Sequence, residues 1–106
     1  RVKRKMKTFS GLLKTFSRYR MIGCASLQLC WVAKGNFIAT LSDAVHSFDF
    51  AAGSVIVKEA GGIVTDALGN KVTSESKAII AANNKTNHTR MLAQTKKFYK
   101  GYKGIK

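Results

Sequence analysis

Apolar and polar positions along the first 16 residues follow the spacing of an amphipathic helix. An apolar stripe runs along one face, and lysines occupy the other. Gly11 interrupts the segment and weakens a helix by about 1 kcal/mol relative to alanine. A basic stripe of this kind can bind an anionic membrane, but packing on a core is more common, and we expect the packed arrangement. The stripe consists of Met6, Phe9, Leu12, Leu13 and Phe16.

Residues 19–41 contain two strand-like segments on either side of a helix. Residues 19–22 form a short strand candidate. Residues 24–33 are apolar on nearly every side, which is typical of a buried helix. Lys34-Gly35 ends that helix, since glycine suits the left-handed position after a helix C-terminus. Residues 36–41 alternate and are rich in β-forming side chains, which predicts a strand.

A second helix is predicted over residues 48–59, after a polar loop at residues 42–47. Ser47 is placed to cap this helix. Gly61-Gly62 ends it. One apolar face of the helix is expected to pack on the core, and it is formed by Phe48, Ala51, Ala52, Val55 and Ile56.

The remaining pattern predicts two strands and a last helix. Residues 63–65 form a short strand, and residues 68–70 supply turn chemistry. The continuous apolar run at 77–82 is typical of a buried strand. An amphipathic helix follows at 87–98. Alternating helices and strands indicate an α/β fold in one domain over residues 1–106, with a helix at 1–18, a core at 19–98 and a basic tail at 99–106.

The formal net charge of +14 is concentrated at the two ends of the sequence. It indicates either a surface for nucleic acid or an anionic membrane, or acidic partner residues on another part of the polypeptide. A basic binding domain more often spreads its charge along one folded face. We therefore expect no nucleic-acid partner. No apolar run reaches the ~20 residues that cross a bilayer, so we expect no membrane partner either.

The two cysteines fit no metal or redox motif. Cys24 and Cys30 are six residues apart, and neither has a partner cysteine or histidine nearby. Both fall in the apolar helix and are expected to be small buried hydrophobic residues. Free thiols of this kind are typical of a reducing compartment, which predicts a cytoplasmic location.

Asp49 is the residue whose type and position most clearly indicate a chemical role. It lies in the first turn of the predicted second helix, where backbone N–H groups and the helix dipole keep a carboxylate ionised. It can accept hydrogen bonds from the helix or bind a hard cation such as Mg²⁺. The small residues that follow, Ala51, Ala52 and Gly53, permit close approach of a backbone or a ligand. A single first-turn aspartate is more often only a helix-stabilising residue.

Four motifs resemble the C-terminal region of the inositol monophosphatase family, in the same order. In chain order they are RMIGCA at 20–25, LCWVAKG at 29–35, FDFAAGSVIVKEAGG at 48–62 and IAAN at 80–83. Phe48 stands where the family usually has tryptophan. The likeness covers residues 19–92. It implies the C-terminal half of a layered αβαβα sugar-phosphatase fold, with a small mixed sheet and flanking helices.

The resemblance also implies a Mg²⁺-dependent phosphomonoester hydrolase acting on inositol phosphate or a related sugar phosphate. Asp49 matches a metal ligand of the family. Gly23, Cys24 and Ala25 match positions that contact the hydroxyl side of the substrate. No residue of this chain is assigned as the catalytic group. Cys24 replaces a hydroxyl residue, which weakens any contact through its side chain.

Other positions depart from the family pattern. Many members carry a substrate-binding glutamate seven residues before the metal aspartate, where this chain has Ser42 beside Asp43. Inositol phosphate is therefore no better supported than another sugar phosphate or a nucleotide-linked phosphate. His46 is a candidate only through its proximity to Asp49. Glu59 is expected to be structural, and His88 is expected to face solvent at the start of the last helix.

The family's remaining metal ligands, in an Asp-Pro-Ile/Leu-Asp-Gly-Thr motif and a glutamate, have no counterpart here. The chain has five acidic residues and no proline, and one aspartate cannot hold two or three Mg²⁺ ions. We expect little activity from this chain alone, a missing N-terminal domain as its partner, and a homo-oligomeric intact enzyme. The alternative is a catalytically inactive basic module that binds nucleic acid or an anionic surface.

Overall fold

A computed structural model describes residues 2–16, 24–43 and 47–99. Four helices and three strands lie within these ranges. The strand candidate at 19–22, Gly23, His46 and the tail from residue 100 onward lie outside them. In chain order the elements are α1 (Val2–Thr15), α2 (Ala25–Lys34), β1 (Ala39–Asp43), α3 (Ser47–Glu59), β2 (Ile63–Asp66), β3 (Ala78–Ala82) and α4 (Lys85–Tyr99).

The three strands form an antiparallel sheet in the order β1-β3-β2. All five residues of the central strand β3 are buried. Its alternate side chains reach opposite layers, because successive residues of a strand point to opposite faces. Ile79 and Ala81 pack with α2 and α3, whereas Ile80 packs with α1 and α4. The predicted α/β class with flanking helices is confirmed. Where a mixed sheet was expected, the three described strands are all antiparallel, and the sheet lies between two helical layers.

The layer formed by α2 and α3 contributes the larger core cluster. Leu29 and Val32 of α2 pack with Phe50 and Val57 of α3 over the sheet. Gly53 brings the two helices close together, since a Cβ on it would lie 2.7 Å from Leu29 Cδ1. Gly53 therefore permits a close approach, but of a leucine side chain rather than of the backbone or ligand that the sequence predicted.

The other layer consists of α1 and α4. Leu12, Met91 and Ile80 form its core, with Phe16 packed against them. The predicted packing of the α1 stripe on the core is confirmed for Leu12 and Phe16, whereas Met6 and Leu13 of the same stripe are 61% and 46% exposed. A Cβ on Gly11 would lie 2.5 Å from Gln94 Oε1, so this glycine permits the close contact of α1 with α4.

The inward face of α3 differs from the predicted one. Among the residues of α3 whose burial is described, Phe50, Gly53, Ser54 and Val57 are buried, whereas Val55 and Ile56 are 59% and 45% exposed. The exposed residues also include Ala51 and Ala52 of the predicted face. The prediction was wrong because α3 is apolar on both sides, so that periodicity alone cannot show which side meets α2 and the sheet.

Strand β1 begins and ends later than predicted. The backbone N–H groups of Asn36 and Phe37 donate to the Trp31 carbonyl in the turn after α2, which delays the start of the strand to Ala39. At the other end, Ser42 and Asp43 pair with β3 instead of lying in a loop. The predicted helix end at Gly35 is confirmed by its left-handed φ of 95°.

Two predictions of exposure were wrong. His88 is buried rather than solvent-facing, because α4 begins at Lys85 and its register carries His88 onto the face of Met91 and Thr95. Cys24 is exposed rather than buried, since it occupies the N-cap position where α2 emerges from the layer, and Cys30 is half-buried. None of the described helices is long and apolar enough to cross a membrane.

Candidate active-site region

The N-terminal end of α2 and the C-terminal end of β1 lie at the same end of the sheet. After the turn at Gly35, β1 runs back along α2, so that Phe37 contacts Trp31 with ring centroids 5.2 Å apart. Further along, Gln28 Nε2 donates to Thr40 Oγ1 over 2.6 Å and to Ser42 Oγ over 3.4 Å. The first turns of α2 therefore stand beside Ser42 and Asp43.

The first turn of α3 belongs to this same end. The helix begins at Ser47, four residues after β1 ends at Asp43. It then packs against α2, where a Cβ on Gly53 would lie 2.7 Å from Leu29 Cδ1. Its C-terminal end lies at the opposite end of the sheet, where a Cβ on Gly62 would meet the Ala82 carbonyl oxygen at 2.7 Å.

Two helix N-termini therefore share one end of the sheet. The first-turn N–H groups of a helix have no partner within the helix, and together with the positive end of the helix dipole they favour anions. The N-cap residue Cys24 has extended φ and ψ of −136° and 107°, and its side chain makes no capping hydrogen bond. The arrangement is chemically suited to an anionic group, such as a phosphate ester.

The predicted site residues fall at this end as far as the structure describes them. Asp49 is the third residue of α3, and Ala25 is the first of α2. Cys24 precedes α2 with an exposed thiol. The side chains of Asp49, Ala25 and Asp43, and the whole of Gly23 and His46, lie outside the described part.

Gln28 is a residue of this region that the sequence reasoning did not single out. Its amide bridges the hydroxyls of Thr40 and Ser42, both of which are 7% exposed. A glutamine inside an otherwise apolar helix is the sequence signal that could have identified it, because a buried amide requires hydrogen-bond partners. The Ser42 hydroxyl is thereby enclosed and already hydrogen-bonded.

The residues described do not complete a magnesium site. No group of three or more His, Cys, Asp or Glu in the described ranges is arranged to hold a metal ion. The Asp66 carboxylate is engaged in a turn, where Oδ1 accepts from Leu68 N at 2.9 Å and from Asn70 N at 2.8 Å. Mg²⁺ requires several oxygen ligands in octahedral geometry. Asp49 alone cannot provide them.

Sequence comparison identifies longer proteins that contain a region similar to this chain. The chain is 44% identical over 84 residues to the putative Nus factor SuhB of Neisseria meningitidis serogroup B, covering 76% of this chain and 32% of the relative. It is 37% identical over 78 residues to the inositol-1-monophosphatase ImpA of Mycolicibacterium smegmatis, covering 74% and 28%. The chain thus spans about a third or less of the length of these curated relatives.

The fold is found in solved structures of longer proteins. An IMPase from Thermotoga maritima superposes with a TM-score of 0.84 at 30% identity, covering 95% of this chain and 39% of that chain. The extragenic suppressor protein suhB from Bartonella henselae superposes with a TM-score of 0.83 at 31% identity, covering 88% and 39%. The model of the inositol monophosphatase family matches residues 1–99. The chain therefore belongs to the inositol monophosphatase family.

Proposed function

We propose that this chain forms part of a Mg²⁺-dependent phosphomonoester hydrolase that acts on inositol phosphate or a related sugar phosphate. The observation that carries the proposal is the meeting of the α2 and α3 N-termini at one end of the sheet, in a member of the inositol monophosphatase family. Helix N-termini at the same end of the sheet favour a phosphate group at that end.

Asp49 supplies one ligand to Mg²⁺ in this proposal, from the first turn of α3. Gly23, Cys24 and Ala25 contact the hydroxyl side of the substrate from the start of α2. The other metal ligands come from outside this chain, which is consistent with its covering 28% of the Mycolicibacterium smegmatis inositol-1-monophosphatase. This chain by itself is then inactive.

The environment of Ser42 bears on the substrate. At this position many family members carry a glutamate that binds a substrate hydroxyl, but here the Ser42 hydroxyl is buried and accepts a hydrogen bond from Gln28. A short hydroxyl engaged inside the protein cannot replace a carboxylate directed at a substrate. We therefore propose that the substrate is a phosphorylated sugar or a nucleotide-linked phosphate as readily as inositol phosphate.

We also propose a cytoplasmic location and a homo-oligomeric intact enzyme. Both cysteines are free, and the Cys24 thiol is exposed, which favours a reducing compartment. The exposed apolar side chains Val55 and Ile56 on α3 leave a surface available for a further domain or subunit.

A chimeric enzyme tests the metal role of Asp49. Residues 19–99 would replace the matched region of the Mycolicibacterium smegmatis inositol-1-monophosphatase. We expect Mg²⁺-dependent hydrolysis of inositol phosphate by the chimera. Asp49→Asn should lower kcat/KM by about 10²-fold and weaken Mn²⁺ binding measured by electron paramagnetic resonance, because a neutral amide is a poorer ligand for a hard cation.

Glu59→Gln is the matched control, since it removes one carboxylate from an exposed position at the C-terminal end of α3, at the opposite end of the sheet from the N-termini of α2 and α3. It should change kcat/KM by no more than about twofold. Unchanged activity and Mn²⁺ affinity in Asp49→Asn would show that Asp49 is not a metal ligand. A folded but inactive chimera would contradict the proposal that this chain supplies a competent part of the active site.

A further inference from the structure

Within the described residues, basic side chains from the first and the last helix lie in the same helical layer. Helix α1 carries five Lys and Arg residues, α4 carries four, and neither helix contains Asp or Glu. The rest of the described chain contains four lysines and all five acidic residues of the protein. Among the described residues the excess of positive charge therefore lies in the α1–α4 layer, whereas the other layer, the sheet and the loops together are nearly neutral.

Close packing of α1 on α4 brings the basic side chains around a common groove. Gly11 allows α1 to approach Gln94 and Phe98 of α4. The groove has a volume of about 330 Å³, and its cationic lining consists of Lys7 and Lys14 from α1 and Lys97 from α4. All three lysines are exposed. Ser10 and Gln94 add polar groups, and Phe98 adds an aromatic ring.

The lysines of α1 form a row rather than a single cluster. Lys7 and Lys14 are seven residues apart, which places them on the same side of the helix and about 10 Å apart along its axis. Lys3 precedes Lys7 by one turn on the same side, and it is also exposed. A row of this length, with Lys97 across the groove, matches a string of phosphates better than one isolated phosphate group.

The row also differs from a membrane-binding face. The exposed apolar side chains of α1 are Met6 and Leu13, at 61% and 46% exposure. Each precedes a groove lysine by one residue and so lies about 100° around the helix from it. Membrane insertion requires apolar side chains that enter the bilayer below the lysines. Between the lysines of the groove lie the polar side chains of Ser10 and Gln94 instead of apolar ones.

We propose that the α1–α4 groove binds nucleic acid through its phosphate backbone, without sequence preference. Lysines that contact successive phosphates release counterions and so provide most of the affinity. This surface lies on the opposite side of the sheet from α2 and α3, so the activity is independent of the proposed hydrolysis. It replaces the expectation of no nucleic-acid partner, which rested on the separation of the basic blocks in the sequence.

Fluorescence anisotropy with a labelled single-stranded oligonucleotide of about 20 nucleotides tests the groove. The protein is compared with the triple variant Lys7→Gln, Lys14→Gln, Lys97→Gln over a range of salt concentrations. We expect the variant to bind at least about tenfold more weakly at ~0.1 M salt. The slope of log K against log salt should fall by about 2 in magnitude, since each lost phosphate contact on a single strand contributes about 0.7.

The triple variant Lys34→Gln, Lys58→Gln, Lys71→Gln removes the same charge from exposed positions on other elements. It should bind within about threefold of the unmodified protein, with an unchanged salt slope. Equal weakening in both triples would overturn the proposal, because it would show attraction by net charge alone. Binding to phosphatidylserine vesicles without binding to the oligonucleotide would also overturn it and assign the surface to membranes. Circular dichroism of both variants verifies that they are folded.

Discussion

His88 connects helix α4 to the edge strand β2 at the scale of single residues. Its Nε2 lies 2.8 Å from Thr65 Oγ1, and the imidazole is only 7% exposed. Burial lowers the pKa of His88 below its ordinary value of 6.5, because a charged imidazolium loses hydration in the interior. The neutral ring is therefore the form that the folded state favours.

This environment predicts a loss of stability in mild acid. The pKa of His88 is lower in the folded than in the unfolded state, so the unfolded chain binds more protons as the pH falls below 6.5. The contribution of the neutral His88 side chain to the free energy of unfolding is complete above pH 6.5. It is lost as the pH falls through the pKa of the folded state. Urea unfolding between neutral and acidic pH measures the free energy of unfolding.

His88→Gln is the control for this prediction, because glutamine retains a hydrogen-bonding group for Thr65 but does not titrate. As the pH falls, the free energy of unfolding of the unmodified protein should decrease more than that of the His88→Gln variant. If both proteins lose stability in parallel across this range, titration of His88 does not contribute.

At the scale of secondary-structure elements, the packing of α2 against α3 determines where the candidate site lies. Gly53 and Leu29 hold the two helices in contact, and the Gln28 side chain ties α2 to β1. Together these contacts bring two helix N-termini to one end of the sheet. The motifs in the sequence indicated Asp49, Gly23, Cys24 and Ala25 as site residues, and those assignments stay predictions.

Gly53→Ala should lower the free energy of unfolding by about 1–3 kcal/mol. Its Cβ would lie 2.7 Å from Leu29 Cδ1 and 2.8 Å from Leu29 Cβ, so the helices must separate. This cost exceeds the gain of about 1 kcal/mol that alanine brings to a helix. Thermal and urea unfolding measure the change.

Gly11→Ala provides the matched comparison, since it replaces the glycine of the other helix pair. Its Cβ would meet Gln94 Oε1, the far end of a flexible side chain that can move away. We expect the stability of this variant to be unchanged or raised by up to about 1 kcal/mol. Equal stability of the two alanine variants would contradict the close-packing account of Gly53.

At the scale of the whole molecule, two surfaces remain open on opposite sides of the sheet. One is the basic α1–α4 layer. The other is the outer face of α3, where Val55 and Ile56 are 59% and 45% exposed. An apolar face of this kind favours association with another protein surface. The chain spans 39% of the matched Thermotoga maritima IMPase structure.

The chain should therefore self-associate in solution through α3. The unmodified protein should form larger species in sedimentation velocity as its concentration rises. The double variant Val55→Glu with Ile56→Glu should remain monomeric over the same range of concentration, because charged side chains resist desolvation. Thr86→Glu with Thr89→Glu adds the same charge at exposed positions of α4. Loss of self-association in both double variants would contradict an interface at α3 and indicate a general charge effect.

Local sequence determines most of the elements of this protein. The helix bounds agree within about two residues of the predicted ones, because helix ends depend on contacts within a few residues, such as the left-handed Gly35 after α2. The buried strand β3 was recognisable from its continuous apolar run. The motifs were also sufficient to identify the family.

Only the tertiary structure decided which faces meet. Helix α3 is apolar on both sides, and contact with α2 selects Phe50 and Val57 for the core rather than Val55 and Ile56. The burial of His88 depends likewise on the register of α4 against β2. The basic α1–α4 layer arises because α1 and α4 pack together from opposite ends of the chain. These outcomes depend on contacts between distant segments, which local periodicity does not encode.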